Sequence, residues 1–235
     1  MIVYLDVRRG VSGTSLLAAL LDAGADLDEV AARTKFLAPR DLDLRLEDAS
    51  IDGLRAAGIE LTDAEARVAD GPRELLVRID GGGLPPAVRE GVVDVYERLA
   101  AAEARVHGVQ PDAVRFEELA TLRSVVGVVG SAVALEQLGV ESVTASPLPF
   151  GGGEVTTHHG RLPLPAPATL ELLRGMPVEP QDVAGELVTP TGAALLASIA
   201  PSFGDIPPLT IRSLGVGTAR SAATPILTTV VLGIS

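Results

Sequence analysis

Six aromatic side chains in 235 residues, four Phe and two Tyr with no Trp, leave the interior of this chain to Ala, Val and Leu. A core without large rings has to be assembled from many small aliphatic groups. Supply is ample, since 47% of the residues are apolar. At this length that is enough for one large core, or a core with a satellite lobe.

Cysteine is absent. Its absence excludes disulfides, thiolate zinc sites, iron–sulfur clusters and cysteine nucleophiles, and it fits a reducing compartment. Acids outnumber bases by 31 to 19, for a net charge of −12; general nucleic-acid or anionic-membrane binders lean the other way. The opening run Met1 to Leu5, closed by Asp6, lacks the basic start and long apolar stretch of a signal peptide. The longest uncharged run, 187–204, is interrupted by Pro190 and Pro201 and reads as a helix with flanking loops, not a membrane span. The expectation is a cytoplasmic protein with a small-molecule substrate and no nucleic-acid or membrane partner, as a monomer or a homo-oligomer.

Local patterning predicts a buried strand at Ile2 to Leu5 that breaks into a turn-rich loop at Arg8-Arg9-Gly10-Val11-Ser12-Gly13-Thr14, then a helix from Ser15 to about Ala23 stopped by Gly24. Leu27 to Phe36 reads as a second helix, Asp41 to Leu46 alternates as a half-exposed strand, and Ser50 to Leu61 fits no single pattern. Behind the break at Gly81-Gly82-Gly83-Leu84-Pro85-Pro86, the spacing predicts long helices over Ala87 to Val106 and Glu117 to Leu138. Gly127 and Gly130 inside the second weaken it by about 1 kcal/mol each relative to Ala, which close packing against a neighbour would explain. Val140 to Thr144 and Ile226 to Ile234 read as strands, Ala168 to Arg174 as a short helix, and Thr189-Pro190 as the capped start of another. The fold class expected is α/β: one compact domain over 1–235 with a mixed sheet and flanking helices, and a helical lobe at 84–138.

No Walker loop, G-x-S-x-G or H-E-x-x-H is present, and Gly215-Val216-Gly217 alone is too little for a dinucleotide site. His107 sits at a helix end, where a cation suits the dipole. His158 and His159, adjacent on an extended segment, point to opposite faces. One of them could serve as acid, base or ligand; otherwise they are solvated loop residues. Glu117 and Glu118 precede a helix, where carboxylates compensate its dipole. Arg123 lies in an otherwise apolar stretch and needs a partner if buried, with Glu118 or an anionic ligand as candidates. Thr189 and Thr191 bring hydroxyls to a helix start, either as a cap or beside a bound anion.

Several of these segments together resemble one family. They are Ser146-Pro147-Leu148-Pro149-Phe150-Gly151-Gly152-Gly153, the stretch from His159-Gly160-Arg161-Leu162-Pro163 to Leu173, Gly185 to Ala194, Ala102 to Gly108, and Asp6 with Gly10-Val11-Ser12-Gly13. They resemble the LarC family, the nickel-insertion proteins of nickel-pincer cofactor biosynthesis, over nearly the whole chain. The resemblance implies insertion of nickel into a pyridinium dithiocarboxylate mononucleotide in a reaction that consumes CTP. It also implies that the chain corresponds to the family's N-terminal domain, without the C-terminal nucleotide-binding domain or the His-rich tract.

Against the family pattern H-F-H-E-V-G-A-V-D-S-I-x-D-I-V-G, residues 115–130 carry Arg115 and Glu117 in place of imidazoles and Arg123 and Gly127 in place of carboxylates, keeping Glu118. In the opening loop, Ser12-Gly13-Thr14-Ser15 stands for S-G-D-M. Guanidinium groups repel a metal ion: a unit charge pair at 4 Å is worth about 4 kcal/mol at an effective dielectric near 20, and a doubly charged ion doubles that. The same groups attract carboxylate or phosphate. The expectation is therefore a metal-independent enzyme of lyase, isomerase or cyclase type, acting without a cofactor on a small anionic or polar organic substrate. Arg115 and Arg123 orient the substrate and Arg161 contributes to binding it. Glu118 or Glu117 handles protons with His158 or His159, and Ser12, Thr14, Thr189 and Thr191 supply hydrogen bonds. Two alternatives stand beside it: the family's nickel insertion, with CTP held by a separate subunit, and a non-catalytic small-molecule-binding protein.

Overall fold

The apolar runs at the two ends of the chain pair with each other. Strand β1 (Ile2–Arg9) lies antiparallel to the last strand, with Val3 opposite Leu232 and Leu5 opposite Val230. The structure, a computed structural model, describes residues 1–38, 42–157, 160–219 and 224–234. After β1 come α1 (Gly13–Asp22), α2 (Leu27–Thr34), β2 (Leu44–Ile51), β3 (Leu54–Leu61), α3 (Pro72–Asp80), α4 (Pro86–His107) and α5 (Leu122–Gln137). They are followed by β4 (Ser142–Ala145), β5 (Leu148–Gly152), β6 (Glu154–Thr157), β7 (Gly160–Pro163), α6 (Pro167–Leu172) and β8 (Val178–Ala184). Last come α7 (Pro190–Ile199), β9 (Ser202–Phe203), β10 (Thr210–Ala219) and β11 (Ile226–Ile234). Seven strands form a mixed sheet in the order β2-β3-β10-β11-β1-β4-β9; β5 pairs with β8, and β6 with β7, outside it. The α/β class with a mixed sheet and flanking helices is the architecture observed.

Helix α1 organises the core. Gly13 and every residue from Ser15 to Leu21 are buried, so the helix is covered all round. One side lies on the sheet, where Gly215 and Gly217 of β10 meet its backbone. A Cβ on Gly215 would run into the carbonyl oxygen of Ala19, and one on Gly217 into that of Ser15. The opposite side lies on α5: a Cβ on Gly127 would fall 2.8 Å from the carbonyl carbon of Gly13, and one on Gly130 2.8 Å from a Leu17 methyl. The two glycines that weaken α5 are the contact surface for α1, and Gly215-Val216-Gly217 is a seat for a helix. Small residues let backbones approach closely, which is how the core of a chain with only six aromatic rings fills its space. The far end of α1 is pinned as well: Asp22 accepts from Val216 N–H at 2.9 Å and pairs with Arg55 at 2.8 Å.

The two long helices of 84–138 share this core. α5 packs on α1, and α4 packs on α5, α6 and α7. α5 starts at Leu122, five residues later than its pattern predicts, because Thr121 caps it by accepting from Ser124 N–H at 3.3 Å. The residues before it pair with another segment instead: Val68 N–H donates to Ala120 C=O and Leu122 N–H to Ala66 C=O, both at 2.8 Å. β1 continues through Arg8 and Arg9, where a loop was expected. The unassigned stretch 50–61 is the far half of a hairpin whose two-residue turn is Asp52-Gly53, with φ of 53° and 81°. Asp-Gly is the sequence signal for such a turn.

Among the described residues no helix is long and apolar enough to cross a membrane. Tyr96 of α4 is fully buried, its ring centroid 6.1 Å from that of Phe116, and its hydroxyl meets no partner among the described residues. A buried, unsatisfied hydroxyl costs its desolvation. Tyr96→Phe is therefore expected to raise stability by about 1 kcal/mol in urea denaturation; a loss would show that the hydroxyl is hydrogen-bonded.

Candidate functional site

Helices α1, α5 and α7 begin beside one another, around a cleft of about 420 Å³. Each start is built by a hydroxyl cap. Ser12 accepts from Ser15 N–H at 3.0 Å while Ser15 accepts from Ser12 N–H at 2.9 Å, and Thr189 accepts from Gly192 N–H at 3.1 Å. The loops before α1 and α7 are joined: Val11 N–H donates to Leu187 C=O at 2.8 Å and Thr189 N–H to Val11 C=O at 3.1 Å. Gly192 permits this approach, since a Cβ there would lie 2.7 Å from the carbonyl carbon of Val11. The start of α6, at Ala166 to Ala168, and the last turn of α4, with Glu103, Val106 and His107, complete the walls together with Val155, Thr157 and Leu162 of the β6–β7 hairpin. Helix N-termini carry unpaired N–H groups and the positive end of the dipole, so this side of the cleft favours an anion.

Eight of the residues expected in a site line this cleft: Ser12, Thr14, Arg115, Glu117, Glu118, Arg123, Thr189 and Thr191. Their partners differ from expectation. Arg123 is half-exposed and donates to Glu65 at 2.9 Å, not to Glu118. Glu117 is held by Arg67 at 2.6 Å. The backbone carbonyl of Glu118 is fixed by the hydroxyls of Thr121 and Ser124, at 3.1 and 2.8 Å, while its carboxylate meets no hydrogen-bond donor among the described residues. Arg115 has no ion-pair partner among the described residues, although it lies in the wall. Arg161 is outside the cleft, exposed and paired with Glu154 across the hairpin. His158 and His159 lie outside the described residues.

Sequence reasoning missed Glu186. It lines the cleft near Glu118, partly buried, and no cation or donor reaches its carboxylate among the described residues. Burial, with the charge of Glu118 adding to it, pushes its pKa up to about 7. The signal was available: Glu186 is the acid immediately before the long uncharged run 187–204, three residues ahead of the Thr189 cap. His107, read only as a helix-end cation, also faces the cleft and sits 3.3 Å from Glu103 one turn back. Among the described residues no three His, Asp or Glu side chains gather so as to hold a metal ion.

The sequence profile of the family described as "Nickel insertion protein" matches residues 3–232. The chain belongs to the nickel insertion protein family. A relative in Syntrophobacter fumaroxidans is 44% identical over 235 residues, a match that covers 98% of this chain and 60% of the relative. Two others carry the name "Pyridinium-3,5-bisthiocarboxylic acid mononucleotide nickel insertion protein". The one from Desulfitobacterium hafniense is 39% identical over 91% of this chain and 53% of its own length. The one from Staphylococcus epidermidis is 35% identical over 92% of this chain and 54% of its own length. The chain thus spans a little over half the length of these relatives. No solved structure matches it.

These findings overturn the expectation of a metal-independent lyase, isomerase or cyclase. That expectation rested on two guanidinium groups repelling a metal ion at the centre of the site. Arg123 is instead neutralised by Glu65 at the rim, and four carboxylates, Glu103, Glu117, Glu118 and Glu186, share the cleft with Arg115 and Arg123. The net field there does not exclude a cation.

Proposed function

We propose that this chain holds a pyridinium mononucleotide in the cleft while nickel is inserted into it, working with a CTP-binding part supplied either by a separate subunit or by a region like that of its longer relatives. The observation that carries this reading is the family match over 3–232, taken with the position of the segments that bear it. Gly10 to Gly13, Ala102 to Gly108, the stretch leading into α6 and Gly185 to Ala194 each contribute a wall of the same cleft. In such a precursor the two thiocarboxylic acids themselves offer sulfur ligands to the metal. The protein need not present a full set of metal ligands, and its task is to orient the organic molecule and exclude water. Arg115 and the starts of α1 and α7 suit the phosphate, and the apolar side chains Val155, Leu162, Pro167 and Ile226 suit the ring.

The test is reconstitution. Purified protein, the bisthiocarboxylic acid mononucleotide, Ni²⁺, CTP and the C-terminal part of a longer relative are combined, and the small-molecule fraction is read by mass spectrometry. Nickel-bearing mononucleotide is expected only when this chain is present. Failure under conditions in which the whole relative succeeds would overturn the proposal.

A further inference from the structure

Glu186 stands on a stiff backbone. On its N-terminal side, Gly185 N–H donates to Gly152 C=O at 2.9 Å, and the Thr224 hydroxyl donates to Ala184 C=O at 2.8 Å. Gly185 has φ of 137°, and a Cβ on Gly151 would lie 2.7 Å from its carbonyl oxygen, so two glycines create the local path. On the C-terminal side, Leu187 and Val188 are buried and tied to Val11. Between these clamps one residue faces the cleft, and it is an acid.

The charged groups around it are mostly satisfied. Glu103 pairs with His107 from α4, Glu117 with Arg67, and Arg123 of α5 with Glu65. What remains without a partner among the described residues is Arg115 as a cation, with Glu118 and Glu186 as anions. The remaining lining from α1, α6, α7, β6, β7 and the sheet is apolar or hydroxyl-bearing. A partly buried carboxylate without a countercharge is costly, and a ligand bringing a weakly hydrated, delocalised cation removes that cost. A ligand carrying both an anionic phosphate and a cationic ring matches the cleft's unpaired charges.

We infer that Glu186 is the specificity-determining residue of the cleft, selecting a ligand whose aromatic ring carries a positive charge. The inference rests on the reading of the cleft as the site of a pyridinium mononucleotide. The probes are nicotinamide mononucleotide, with a cationic ring, and its reduced form, with the same ribose phosphate and a neutral ring. Calorimetric titration of the wild type is expected to show about a tenfold preference for the cationic form. Glu186→Gln loses that preference by weakening the cationic form alone, leaving the reduced form bound as before, and Glu186→Asp keeps part of it. The unchanged affinity for the reduced form also shows that the variant is folded.

The preference in the wild type rises from pH 6.5 to 8.5 as the Glu186 carboxyl loses its proton, and it is flat in Glu186→Gln; phosphate ionisation is common to both probes and cancels in the ratio. In stability, an acid with a raised folded pKa binds more protons folded than unfolded. Wild-type stability therefore falls as pH rises from the ordinary glutamate range to about 7, and this component of the pH dependence is missing in Glu186→Gln. Equal weakening of both probes by Glu186→Gln, or no response to it, overturns the inference while the reading of the cleft stands. Binding of neither probe to a wild type that supports nickel insertion overturns the inference alone, and failure of that reconstitution overturns the reading of the cleft with it.

Discussion

Gly217→Ala is expected to cost at least about 3 kcal/mol of folding stability. The added Cβ would enter the carbonyl oxygen of Ser15 and crowd the backbone nitrogen of Ala19, so both obstacles are helix backbone and no side chain can rotate away. α1 cannot retreat either, because Gly127 and Gly130 of α5 hold it from the other side. Gly58→Ala, on the neighbouring strand and paired with Thr218, is the control: nothing lies within 4 Å of its added Cβ. Urea denaturation should give Gly58→Ala a midpoint near the wild type and Gly217→Ala a much lower one, or no cooperative transition. Equal midpoints would mean that α1 does not sit on β10.

Arg115→Glu is expected to weaken mononucleotide binding by about a hundredfold at low salt. Arg115 is the cleft arginine whose charge no described carboxylate neutralises, so reversing it removes one attraction to phosphate and adds one repulsion. Half of the loss should disappear in 0.5 M salt, since the group is exposed and screened. Arg73→Glu makes the same change in net charge on a residue that pairs with Asp112 and lies outside the cleft. It should leave calorimetric affinity for nicotinamide mononucleotide within twofold. Equal effects of the two variants would reduce Arg115 to a contribution to overall charge.

What was readable before folding was local. The caps at Ser12 and Thr189 follow from hydroxyls reaching backbone N–H groups three residues on, and the stops at Gly24 and Gly108 from glycine's freedom to take a positive φ. α5 shows the limit of that logic. Its apolar pattern begins early, but Thr121 and the pairing of 66–68 with 120–122 decide where the helix starts, and that pairing joins segments about fifty residues apart. The hydroxyls and charges of the site were found because they sit at helix starts. Glu186 was missed because its significance lies in what fails to reach it. Arg123 was misjudged because Glu65, its partner, is 58 residues away.

Composition and periodicity determined by themselves that this chain would be an α/β protein with a small-residue core, and its glycine, proline and hydroxyl signals placed most turns and caps, because those preferences act over a few bonds. Only the tertiary structure decided that α1 is enclosed between β10 and α5, that three helix starts open on one cleft, and which of its charges remain unpaired. Electrostatic balance is a sum over neighbours in space, and those neighbours come from distant parts of the chain.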